Sequence, residues 1–227
     1  MQLRKVFDKR TALAIAGSCA LFVCVDLRAE PTLEDAHFRW DWKDSQELSA
    51  AQSLRGTNLT HQQRKAIASA IANHIRSMIS EPGIVRTTTM REIKSEAELR
   101  DAVLDTRVTL IDLNGDGIPE VVAQGMVNCG ATGNCPFWVL RKSKTGYRLI
   151  FEGEAQTFTI QPSVSNGFRD IVLSRHGSYS SGDLMHYRFQ EGIYSGVACY
   201  DYEWTVLEND QVRELKEPRI TPIRCDW

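Results

Sequence analysis

The stretch Asp112-Leu113-Asn114-Gly115-Asp116-Gly117-Ile118-Pro119-Glu120 sets oxygen-bearing side chains at its positions 1, 3, 5 and 9. Gly117 stands at position 6, where the chain must turn sharply, and Ile118 offers its carbonyl at position 7. Hard divalent cations want such an array, and Ca²⁺ tolerates its irregular geometry better than Mg²⁺ does. Three carboxylates this close would repel one another without a positive charge among them. A bare hairpin turn is the competing reading, since Asn114-Gly115 and Asp116-Gly117 are both turn dipeptides. A turn alone, however, does not require four alternating oxygen donors.

Other groups offer less. Ser174-Arg175-His176-Gly177-Ser178-Tyr179-Ser180-Ser181-Gly182 gathers a histidine and several hydroxyls, which would suit a hydrolase acting on an envelope polymer or peptide through His176 with Tyr179. It lacks G-x-S-x-G, and nearness in sequence does not make a nucleophile and base pair. Lys144-Thr145-Gly146 has no S-x-x-K partner and reads as a turn. Asp170, Asp183, Glu152 and Glu154 supply carboxylates without a separation readable from sequence. No catalytic residue is assigned.

The D-x-N-x-D-G-x-x-E pattern resembles the calcium loops of dockerins and of FG-GAP propeller repeats, and more loosely those of EF-hands. The resemblance implies Asp112, Asn114, Asp116 and Glu120 as side-chain metal ligands and Ile118 as a backbone ligand, with Ca²⁺ in a structural role. Ala123 stands at position 12, where an EF-hand has a bidentate glutamate, and the flanks read as strands. The strand-loop-strand version is therefore the closer likeness. A single copy does not make a propeller, because repeat folds need several units. A longer stretch through Cys129-Gly130-Ala131-Thr132-Gly133-Asn134-Cys135 is similar to a family of uncharacterised secreted bacterial proteins, which implies no activity.

Helical and strand signals surround the loop. Thr60 and Gln63 form a capping box, and Ile67, Ile71, Ile75, Met78 and Ile79 follow at helical spacing until Pro82-Gly83. Ser95 and Glu98 begin a second helix with Leu99, Val103 and Leu104 on its apolar face. After Thr106 the chain becomes β-branched and aromatic, punctuated by Lys144-Thr145-Gly146, Ser165-Asn166-Gly167 and Gln190-Glu191-Gly192. Candidate strands cover 107–113, 120–126, 137–142, 147–151, 156–161, 170–174, 185–189 and 202–206. Helices first and strands after predict an α+β fold, N-terminal helices followed by an antiparallel β-meander clipped by disulfides.

The remaining organisation concerns compartment. Arg4, Lys5, Lys9 and Arg10 precede the apolar run Ala12 to Val25, which at fourteen residues is short of the roughly 20 that span a bilayer. Residues 1–29 are expected to be a signal peptide. A lipid anchor on Cys19 is the alternative. Residues 30–58 read as an N-terminal arm whose Trp40 and Trp42 pack on the domain, residues 59–106 as a helical segment and 107–227 as a β-rich domain. Residues 1–29 carry five of the 27 Lys+Arg and two of the 29 Asp+Glu, so residues 30–227 have a net charge of −5. That acidity argues against a nucleic-acid partner.

Cys129, Cys135, Cys199 and Cys225 are an even set, which in an oxidising compartment reads as disulfides. Their spacing suggests a Cys129–Cys135 clip and leaves Cys199 for Cys225. Zinc is disfavoured, because neither pair has C-x2-4-C spacing. A periplasmic or extracellular module that binds Ca²⁺ and an unknown protein or envelope component is the leading expectation, with no membrane span after cleavage. An envelope hydrolase, and an inhibitor of an envelope-degrading enzyme that uses the clipped loop, are the rivals.

Overall fold

The computed structural model describes residues 46–48, 52–78, 85–86, 92–126, 129–209 and 211–225. The expected signal peptide, Cys19, Trp40 and Trp42 lie outside these residues, whereas residues 46–48 and 52–58 of the expected arm lie within them.

Two antiparallel sheets form the body of the fold. The first entering strands are β1 (Gln46–Glu47) and β2 (Gln52–Ser53). Helix α1 (His61–Met78) follows, then the short pair β3 (Val85–Arg86) and β4 (Glu92–Ile93), and helix α2 (Glu96–Leu104). Next come β5 (Arg107–Ile111), β6 (Glu120–Gln124), β7 (Cys135–Ser143) and β8 (Gly146–Ala155). The chain continues through β9 (Thr157–Ser165), β10 (Phe168–His176), β11 (Ser181–Gln190), β12 (Ile193–Glu208) and β13 (Gln211–Ile223). One sheet runs β2-β5-β6-β7-β8 and the other β1-β9-β10-β11-β12-β13.

The α+β expectation is therefore corrected to a predominantly antiparallel β fold. Strand makes up 57% of the described residues and helix 18%. Helices do not come first either. β1 pairs with β9 and β2 with β5, so one strand of each sheet precedes α1 in the chain.

Local chemistry accounts for the elements. Thr60 Oγ1 accepts from Gln63 N–H at 3.2 Å while Gln63 Oε1 accepts from Thr60 N–H at 2.9 Å, closing the box that starts α1. Ser95 caps α2 in the same way, and Glu98 reaches back to the Lys94 N–H. Asn166-Gly167 and Glu191-Gly192 hold positive φ at both residues, matching the twist of the hairpins β9–β10 and β11–β12.

Alternation along the strands divides the apolar residues between layers. Val139, Phe151, Phe158, Ile160, Ile171 and Leu173 fill a core shared by the two sheets. Trp138, Leu140 and Val121 face the other way and bury Ile67, Ile71, Ile75, Leu99 and Val103 of the helices. Disulfides join Cys129 to Cys135 and Cys199 to Cys225. No helix among the described residues is long and apolar enough to cross a membrane.

Candidate metal centre

β5 and β6 run antiparallel with Ile111 opposite Glu120, so the nine-residue stretch is a loop between two strands. Gly115 and Gly117 take φ of +72° and +79°, values that L side chains resist. Asp112 spans the turn: its Oδ1 accepts from Gly115 N–H at 2.7 Å and its Oδ2 from Gly117 N–H at 2.8 Å. Asn114 Oδ1 accepts from Asp116 N–H, and Asp116 Oδ1 from Ile118 N–H at 2.7 Å. Asp112, Asn114 and Asp116 thus each accept from backbone two to five residues ahead.

Glu120 closes the loop from beneath. Its side chain is 1% exposed, and Oε2 accepts from Leu113 N–H at 3.0 Å. Arg169 N–H in turn donates to the Leu113 carbonyl at 2.8 Å, tying the loop to β10. Burial pushes the Glu120 carboxyl above its ordinary pKa. By contrast, the Asn114 amide and the Ile118 N–H hold Asp116 below the usual carboxylate range.

Arg141 on β7 supplies positive charge that the motif itself does not contain. Its Nη2 lies 3.4 Å from Asp116 Oδ2 and its Nε 3.7 Å from Glu120 Oε1, while its guanidinium sits 5.0 Å over the Phe168 ring. As the side chains stand, no three His, Cys, Asp or Glu groups among the described residues are gathered closely enough to hold a metal ion. The donor set nonetheless has the chemistry of a hard-cation site: three carboxylates, the Asn114 amide oxygen and the Ile118 carbonyl.

The other candidates separate in space. Asn134 accepts from the His176 N–H and donates to its carbonyl, so the clipped loop is pinned to the end of β10. No hydrogen bond or ion pair to the His176 imidazole is found among the described residues, and Tyr179 is 94% exposed. Nothing there resembles a nucleophile with its base.

Sequence reasoning missed a polar cluster on β9, β10 and β11, built around the buried pair Asp170 and His186. Asp170 Oδ2 accepts from Ser163 Oγ at 2.8 Å and lies 3.2 Å from His186 Nε2 and 3.6 Å from Arg188 Nε. The carboxylate stands between hydroxyl and imidazole, so the serine is not aligned for activation by the histidine. Only strand register brings these residues together, and no sequence spacing signals it. Burial alone would raise the Asp170 pKa, but hydrogen bonds from His186, Ser165 and Ser163 outweigh it and hold the carboxyl below its ordinary value.

A carboxyl with a depressed folded pKa contributes stability above its unfolded pKa of about 3.9, and that stability is lost as pH falls through the folded value. Asp170→Asn is therefore expected to cost about 2 kcal/mol at neutral pH and to flatten the acid limb of a plot of urea midpoint against pH. Parallel acid limbs for the two proteins would refute the assignment.

Comparison of the chain with protein-family models, with curated proteins and with solved structures found no match.

Proposed function

We propose that the protein is an exported, non-enzymatic binding module in which Ca²⁺ held by Asp112, Asn114, Asp116, Ile118 and Glu120 rigidifies the β5–β6 loop. The observation that carries this reading is Glu120, a carboxylate at position 9 of an oxygen-rich loop that is almost fully buried and aimed at the underside of that loop. A buried carboxylate stays ionised only where it is closely paired or well hydrogen-bonded. Arg141 approaches it only to 3.7 Å, beyond hydrogen-bonding distance. The two disulfides fit an oxidising compartment, outside the cytosol.

Such a loop, lacking the twelfth-position carboxylate, is expected to bind Ca²⁺ with a Kd on the order of 10⁻⁴ to 10⁻³ M, as extracellular modules do. At ten times Kd the folded state gains about 1.4 kcal/mol, which is read as a rise in Tm. Asp116→Ala should abolish both the calorimetric heat and the rise. Equal heats from the two proteins would sink the metal assignment.

A further inference from the structure

A cavity of about 300 Å³ opens beside the loop, with Asp116, Ile118 and Glu120 of the loop and Arg141 and Arg148 of β7 and β8 among its lining. We propose that this cavity is a calcium-dependent oxyanion site, taking a carboxylate or phosphate group between Arg141 and Arg148. The proposal rests on the calcium reading of the adjoining loop.

The basic wall has a feature that the loop does not explain. Arg141 and Arg148 are direct register partners across β7 and β8, so their side chains leave the sheet on the same face. Like charges placed directly opposite destabilise a sheet unless something between them is negative. Arg141 faces Asp116 and Glu120, but no carboxylate pairs with Arg148 among the described residues. One donor of Arg148 is used on the Gly192 carbonyl at 2.9 Å, which fixes the guanidinium at the mouth of the cavity. Lys142 follows Arg141 in the chain, so its side chain leaves β7 on the opposite face, where its register partner Tyr147 packs on the helical side.

Charge balance makes the site conditional. Asp112, Asp116 and Glu120 outweigh Arg141 and Arg148, so without a metal the neighbourhood is net negative and repels an anion. A divalent cation on the carboxylate oxygens would turn the same neighbourhood net positive. Planar two-oxygen groups match two neighbouring guanidinium forks. A sugar acid and a sugar phosphate present the same chemistry at this wall, and their separate binding tells the two sources apart.

The test is a thermal-shift and calorimetric titration of the intact protein with glucuronate, glucose 6-phosphate and uncharged glucose, in Ca²⁺ and in chelator. Binding of at least one of the two anions, not of glucose, and only with Ca²⁺ present supports the proposal. Arg148→Gln should weaken the anion about tenfold while leaving the Ca²⁺ heat unchanged. Normal Ca²⁺ binding with no anion bound overturns the oxyanion site and leaves the calcium reading standing. Anion binding that is equal in chelator overturns the calcium dependence. Absence of any Ca²⁺ heat overturns the calcium reading and this proposal with it.

Discussion

Trp138→Ala is expected to lower stability by about 3–5 kcal/mol, the range for deleting a large aromatic side chain from a packed interior. Trp138 is 2% exposed on β7 and faces the helical layer. The edge of its ring closely approaches the backbone beyond β6: a Cβ placed on Gly125 would come within 2.6 Å of it. Ala123 is its register partner, and Ala68 and Ala72 contribute to the same cluster. These small side chains have little reach with which to fill the hole, so the upper half of the range applies. The measurement is a urea titration with the slope held common to both proteins. Tyr179→Ala, at a 94% exposed position, serves as the control and should stay within about 0.5 kcal/mol. A loss below about 1 kcal/mol for Trp138→Ala would mean that the helices do not pack on β7 as described.

Replacing Cys199 and Cys225 together by serine ranks next, with an expected loss of about 3.5 kcal/mol against about 2.5 kcal/mol for the Cys129 and Cys135 pair. The difference comes from loop length, because the first bridge spans 26 residues and the second six. Cys199 is also 5% exposed in the core between the sheets, and Cys225 packs against that core. Serine at these positions adds a polar group to apolar surroundings and enlarges the gap. Urea midpoints of the two double variants decide the matter, and the reverse order would contradict the chain-entropy account.

Short-range chemistry made part of the fold readable from the chain alone. Thr60 with Gln63 and Ser95 with Glu98 announce helices because capping is settled within four residues. Asn166-Gly167 and Glu191-Gly192 announce hairpins for the same reason. The fold class was misjudged where pairing is long-range. Gln46–Glu47 and Gln52–Ser53 are two-residue strands in a polar stretch, and only their distant partners make them strands at all. β13 went unseen because Gln211–Ile223 is mostly exposed and charged along an outer edge, without the alternation that marks a half-buried strand. At the loop, the oxygen donors are contiguous and legible. Arg141, 25 residues beyond Asp116, enters only through the register of β6 with β7.

The placement of β1 and β2 also fixes an order of events. Glu47 and Gln52 stand five positions apart in the chain, yet one belongs to each sheet. Gln46 meets Ile160, more than a hundred residues away, while Gln52 meets Val108. Closing loops of that length carries an entropic cost before any contact rewards it, whereas the hairpins from β5 to β8 and from β9 to β13 close locally. Both sheets must exist before this segment has anywhere to bind. This segment is therefore expected to lose its hydrogen-exchange protection before the hairpins lose theirs.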